Sequence, residues 1–170
     1  MILHKVTSLF HYFSGSENRS YQQDQKLDTA TSKEKEARDS YQKRILIVDD
    51  EPDVTLTFKV GLEGYHCSRN DNETRFKAYT YNNPLEALSQ FKPNFYDILL
   101  LDVYMPHMNG FQLCEKVLEL DVDVRVCFMS AADLNIDALR EVWPKVSFGC
   151  FIKKPVEVKY LIRRLLAEID

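Results

Sequence analysis

The chain has 170 residues, enough for one ordinary domain with length to spare. It is 45% hydrophobic and 28% charged, and its formal net charge of -4 comes from both signs spread along the sequence. That balance excludes a general affinity for nucleic acid, which needs a basic face, and no apolar run approaches the roughly 18–20 residues of a membrane-spanning helix.

In chain order, MILHKVTSLFHYF opens the sequence and carries His4, Lys5, Thr7 and His11 with no small-residue cleavage site after it. It reads poorly as a signal peptide and could either dock as a short helix or remain an untethered tail. Residues 14–43 contain one aliphatic residue besides alanine, Leu27, among alternating acids and bases. Such a segment cannot bury enough apolar surface to offset the entropy of ordering, so residues 1–43 are expected to be a polar, disordered extension.

From Arg44 onward strand and helix patterns alternate. Strands are predicted over Ile45–Val48, Phe76–Tyr81, Asp97–Leu101, Val124–Met129 and Phe148–Ile152. Runs such as ILIV and ILLL are continuously apolar, which is how parallel strands buried on both faces look. Helices are predicted over Pro52–Glu63, Pro84–Phe91, Gly110–Leu120 and Leu134–Trp143. A last one places Val158, Leu161, Ile162, Leu165, Leu166 and Ile169 on one face. Asn83-Pro84 supplies a cap followed by proline at the first helical position. Five βα units then require a three-layer α/β sandwich, since parallel crossovers are right-handed. Tyr65 to Arg75, YHCSRNDNETR, is expected to project as a polar surface loop.

The cysteines Cys67, Cys114, Cys127 and Cys150 lie far apart with no Cys-x-x-Cys pair, which argues against a zinc site. Three lie in apolar segments, so buried free thiols in a reducing, cytoplasmic compartment are expected.

In an open parallel sheet, ligands bind beyond the carboxyl ends of the strands. There the sequence places Asp49-Asp50-Glu51, then Asp102 followed by Tyr104, Ser130, and Lys153-Lys154-Pro155. Asp49, Asp50 and Asp102 converging would repel unless a hard divalent cation, Mg²⁺ or Mn²⁺, neutralised them. Lys154 and Ser130 could then contact phosphoryl oxygens, and phosphoryl transfer needs mainly positioning and charge neutralisation. Each residue also has a plainer reading. The acidic trio before Pro52 could cap a helix, Asp102 could start a turn, and Lys154 could be a solvated charge. The joint pattern at four strand ends carries the weight.

The stretches ILIVDDEPD, LLLDVYMPHMNG, VCFMSAAD and FIKKPVE make residues 44–170 resemble a two-component response-regulator receiver domain. The resemblance implies a flavodoxin-like (βα)5 sandwich with parallel strand order 2-1-3-4-5. It implies that Asp102 is the phospho-acceptor, with Asp49, Asp50, Asp102 and the backbone carbonyl of Tyr104 holding the metal. It further implies that Ser130 and Phe151 are the switch residues, that Lys154 contacts the phosphoryl group, and that the Lys154–Pro155 bond is cis. Ser130 stands where threonine is commoner, Phe151 where tyrosine is, and bulky Tyr104 flanks the acceptor. No second acid follows two residues after Asp102, which disfavours a phosphohydrolase.

With no effector segment after the last helix, the sequence reads as a stand-alone receiver that catalyses only its own phosphorylation and dephosphorylation. The implied partners are a sensor histidine kinase or phosphotransfer protein and an unnamed downstream protein, without direct nucleic-acid binding. Homodimerisation through the fourth helix, fifth strand and fifth helix is a further expectation. A phosphorylation-independent binding module on the same fold is the alternative.

Overall fold

The aliphatic runs become the strands of one sheet. The computed structural model describes residues 42–69, 72–147 and 149–169. In chain order its elements are β1 (Gln42–Val48), α1 (Pro52–Glu63), β2 (His66–Arg69), β3 (Asn72–Tyr81), α2 (Pro84–Ser89), β4 (Ile98–Asp102), α3 (Gly110–Leu118), β5 (Arg125–Ser130), α4 (Ile136–Val142), β6 (Cys150–Lys153) and α5 (Val158–Ile169). The expectation of a disordered extension over residues 1–43 lies outside the described residues up to residue 41, and it fails at Gln42 and Lys43, which begin β1 by pairing with Arg75 and Phe76.

The sheet runs β2-β3-β1-β4-β5-β6. Five of these strands, β3-β1-β4-β5-β6, pair in parallel in the order the resemblance implies. The continuous hydrophobicity of the central strands now has its cause, because alternate residues go to opposite layers. Ile45, Ile47, Ile98 and Leu100 pack with Phe58 and Leu62 of α1 and with Leu161, Ile162, Leu165 and Ile169 of α5. Leu46, Val48, Leu99, Leu101 and Phe128 pack instead with Ala87 of α2 and Phe111, Leu113 and Val117 of α3. Asn83 accepts from the backbone N–H of Leu85 ahead of α2, and Asn109 with Gln112 closes a capping box on α3.

Two further expectations are overturned. Tyr65–Arg75 is not a loop: residues 66–69 pair antiparallel with 72–75, in register from His66↔Arg75 to Arg69↔Asn72. A ribbon at a sheet edge satisfies its backbone groups without an apolar face, so its polar sequence does not reveal it. Nor are all the buried cysteines free thiols. Cys127 and Cys150 oppose one another across β5 and β6 and form a disulfide, with their Cα atoms 4.6 Å apart; Cys114 is buried and free. Among the described residues no helix is long and apolar enough to cross a membrane.

Candidate functional site

Parallel strands bring their carboxyl ends to one edge of the sheet, so the residues just beyond β1, β4, β5 and β6 meet there. Asp49 leaves β1 fully buried, with its Oδ1 accepting from the Glu51 N–H at 3.1 Å. Asn82, beyond β3, donates from Nδ2 to the Asp49 carbonyl at 2.7 Å and to Thr55 Oγ1 at 3.0 Å. These contacts fix the turn between β1 and α1. A pure capping role for the acidic trio is not what the structure shows, because Glu51 at the N-cap makes no side-chain capping bond.

Asp102 ends β4 and is buried. Its Oδ2 accepts from the Tyr104 N–H at 3.2 Å, and its Oδ1 lies 2.8 Å from Lys154 Nζ. The same ammonium stands 2.6 Å from Asp49 Oδ2 and 3.9 Å from Glu51 Oε1. Lys154 therefore bridges two buried carboxylates, in place of the solvated charge that is the plainer reading. A carboxylate oxygen from each of Asp49, Asp50 and Asp102 lies within 4.8 Å of the others. One ammonium against three carboxylates leaves the cluster net negative, and hard oxygen donors at this spacing fit a hard divalent cation.

The electrostatics follow from burial and neighbours. Burial raises the Asp102 carboxyl above its ordinary range; Lys154 opposes that through its hydrogen bond and charge, and Asp49 and Asp50 add to it. For Lys154, burial is the largest single influence and pulls its pKa down. The hydrogen bonds and charges of Asp102 and Asp49 outweigh it, so the net shift is upward and the ammonium stays charged.

Ser130 ends β5, buried, with its hydroxyl turned into the β5–α4 connection. Its Oγ donates to the Ala132 carbonyl at 3.0 Å and accepts from the Ala132 N–H at 3.1 Å. Phe151 of β6 is half-buried, stacked on Phe128 with centroids 5.4 Å apart and 6.4 Å from the ring of Phe111. The Lys154 N–H donates to the Ser130 carbonyl at 2.8 Å, joining the two strand ends, and the Lys154–Pro155 peptide is cis. Tyr104 is 59% exposed, two residues beyond Asp102.

Sequence reasoning missed three supports of this site. Asn82 carries a strand-end signal at best, since it lies just past β3, and Thr55, within α1, carries none. Gly110 is the clearer case: a Cβ there would sit 2.3 Å from the Asp102 carbonyl oxygen. Only glycine lets the start of α3 pass so close to the end of β4.

A family model described as the response regulator receiver domain matches residues 45–166. Among curated proteins, the heme response regulator HssR of Staphylococcus saprophyticus is 32% identical over 122 residues, which span 72% of this chain and 49% of that protein. A putative transcriptional regulator of Haloferax volcanii is 30% identical, over 78% of this chain and 22% of its own length. The chain thus spans about half the length of the first of these relatives, or less. Among solved structures, the non-phosphorylated HemR receiver domain of Leptospira biflexa superposes with a TM-score of 0.61 at 28% identity, covering 75% of this chain and 94% of that one. A CheY-like receiver domain protein from Methanospirillum hungatei shares the fold with a TM-score of 0.58 at 22% identity, over 75% and 94% of the two chains.

Proposed function

The chain belongs to the response regulator receiver family, and from that premise we propose that Asp102 accepts a phosphoryl group from a sensor histidine kinase or phosphotransfer protein and that the phosphorylated form signals by altered protein binding. One observation carries the proposal. The carboxylates of Asp49, Asp50 and Asp102 converge within 4.8 Å while Lys154 Nζ stands 2.8 Å from Asp102 Oδ1.

Receiver domains bind Mg²⁺ at an acidic pocket, and the aspartate cluster has the composition of one. Asp49, Asp50, Asp102 and the Tyr104 carbonyl would hold the ion; Mn²⁺ fits the same donors. When bound, it neutralises charge on the phosphoryl oxygens and the surrounding carboxylates. The rest is done by the chain. An oxygen of Asp102 attacks phosphorus, the donor's bond to phosphorus breaks, and an acyl phosphate forms. Lys154, already beside Asp102, pairs with a phosphoryl oxygen. Ser130 gives up its contacts with Ala132 and turns its hydroxyl toward the new charge, drawing the β5–α4 connection with it. Phe151, which already rests on Phe128 and Phe111, settles further inward as that connection moves.

The receiver, from the start of β1 onward, would thus catalyse only its own phosphorylation and dephosphorylation, and the residues before β1 act as an extension. The output face is α4, β6 and α5, where a downstream protein or a second copy binds according to the state of the switch. Incubation with Mg²⁺ and acetyl phosphate, followed by intact mass, tests the reading. A labile adduct of one phosphoryl group is expected, and it should be missing in Asp102→Ala. No adduct on the wild-type protein would leave only a passive binding module.

A further inference from the structure

The Cys127–Cys150 bridge plays no part in the proposed phosphoryl chemistry, and its surroundings differ from those of an inert core disulfide. Cys127 lies on β5, between β4 and β6, and Cys150 on β6, the outermost strand of the sheet; both side chains are buried, and the two differ in what they line rather than in exposure. Cys150 lines a cavity of about 320 Å³ whose walls include Lys145, Arg125, Gly149 and Leu118. That volume is at the small end of ligand-sized sites. Gly149 puts no side chain of its own on that wall; a Cβ there would make ordinary contact with Ser147 Oγ at 3.7 Å. The Arg164 guanidinium also stands against the bridge, with Nη2 at 3.7 Å from Cys150 Sγ and 3.4 Å from Glu168 Oε1.

These features assign different roles to the two sulfurs. A cation beside a sulfur favours its thiolate, the reactive form. Cys150 has that cation and lines the cavity; Cys127 is buried and does not line it. Cys114 borders the same cavity, but burial pushes its thiol up to about 12, so it stays protonated. Arg125 and Lys145 outnumber the one acid on the cavity wall, Glu168, a balance that suits an anionic visitor.

We propose that Cys127 and Cys150 form a reversible thiol–disulfide exchange site, in which Cys150 reacts with a small anionic thiol or its disulfide, of the glutathione class, entering beside Gly149. In the oxidising direction the Cys150 thiolate attacks one sulfur of the small disulfide. The S–S bond breaks, one small thiolate leaves, and a mixed disulfide remains on Cys150. The Cys127 thiolate then attacks the Cys150 sulfur and expels the second small thiolate. Two protein thiols are oxidised, one small disulfide is reduced, and the two protons of the protein thiols pass to the departing thiolates. Reduction is the reverse, with first attack on Cys150 Sγ and Cys127 leaving. The bridge crosses β5 and β6 three residues before the Ser130↔Lys153 pair, so redox state is registered on the two strands that carry the switch.

The test uses the full chain, folded, in buffers of graded reduced-to-oxidised glutathione ratio, with acid quench, alkylation and peptide mass mapping. Cys127 and Cys150 are expected to alkylate together at the reduced end and to be bridged at the oxidised end, with far-UV circular dichroism unchanged. In Cys127→Ser, glutathione should accumulate on Cys150, and Arg164→Gln in that background should slow its arrival by roughly fivefold as the thiolate fraction falls. In Cys150→Ser, Cys127 should remain unmodified until denaturant is added. A wild-type pair that stays in one state across the series while folded overturns the proposal without recourse to any variant. So does glutathione mapping to Cys127 in preference to Cys150.

Discussion

Asp102 is poised rather than relaxed: burial and two neighbouring aspartates work against its charge while Lys154 works for it. The folded state therefore holds the Asp102 proton more tightly than the unfolded chain does. The stability contributed by that proton is present below the ordinary carboxylate range and is lost as pH rises through the raised folded value. Asp102→Asn abolishes this loss. Without divalent cation at neutral pH, the variant should melt at a higher temperature than wild type, with the gap narrowing as pH falls; a thermal scan series checks it, and a lower melting temperature at neutral pH would contradict it. Tyr104 acts at the same scale. Its side chain is exposed two residues beyond Asp102, where its bulk should hinder water's approach to the proposed acyl phosphate. Tyr104→Asn is expected to shorten the phosphoryl half-life severalfold, and an unchanged half-life would remove the shielding role. At this scale the residue types were readable from the sequence and the rotamers were not. Asp49, Asp50, Asp102 and Lys154 do converge, but the turn of Ser130 toward Ala132 depends on a side-chain torsion that no residue pattern encodes.

Elements are held at the site by close packing between α1 and α5. A Cβ on Gly61 would lie 2.4 Å from Val158 Cγ1 and 3.2 Å from Val158 Cβ. Alanine in a helix interior normally gains about 1 kcal/mol over glycine, whereas forcing extra volume into a packed contact costs roughly 1–3 kcal/mol. Branched Val158 has its Cβ as well as its methyls in the way, so the clash should win. Gly61→Ala is expected to lower stability, by up to about 2 kcal/mol in urea unfolding, and adding Val158→Ala should restore most of it. A stabilised single variant would show that α5 can shift freely. Helix and strand identity was largely legible, because Pro52 and Pro84 mark starts and ILIV and ILLL mark buried strands. The β2–β3 ribbon was not, since HCSR paired with NETR carries no apolar alternation. The Cys127–Cys150 bridge was hidden for another reason: residues 23 apart meet only because β5 and β6 pair in one particular register.

The whole molecule joins an acidic site at the carboxyl end of the sheet to a fold whose stability must respond to what fills that site. A cation that binds the folded state alone adds about 2.7 kcal/mol when present at roughly 100 times its dissociation constant. Mg²⁺ should accordingly raise the melting temperature, chelator should reverse the gain, and Asp50→Ala should greatly reduce it; an equal gain in that variant would place the ion elsewhere. The central claim is that the phosphoryl group goes onto one carboxylate, Asp102. Borohydride reduces an aspartyl acyl phosphate to homoserine, so the most direct measurement is peptide sequencing by mass after Mg²⁺, acetyl phosphate and borohydride treatment of the folded chain. Homoserine at position 102 and at no other aspartate is the predicted result. Homoserine at position 49 or 50, or a phosphoryl group that survives borohydride on another side chain, would contradict it.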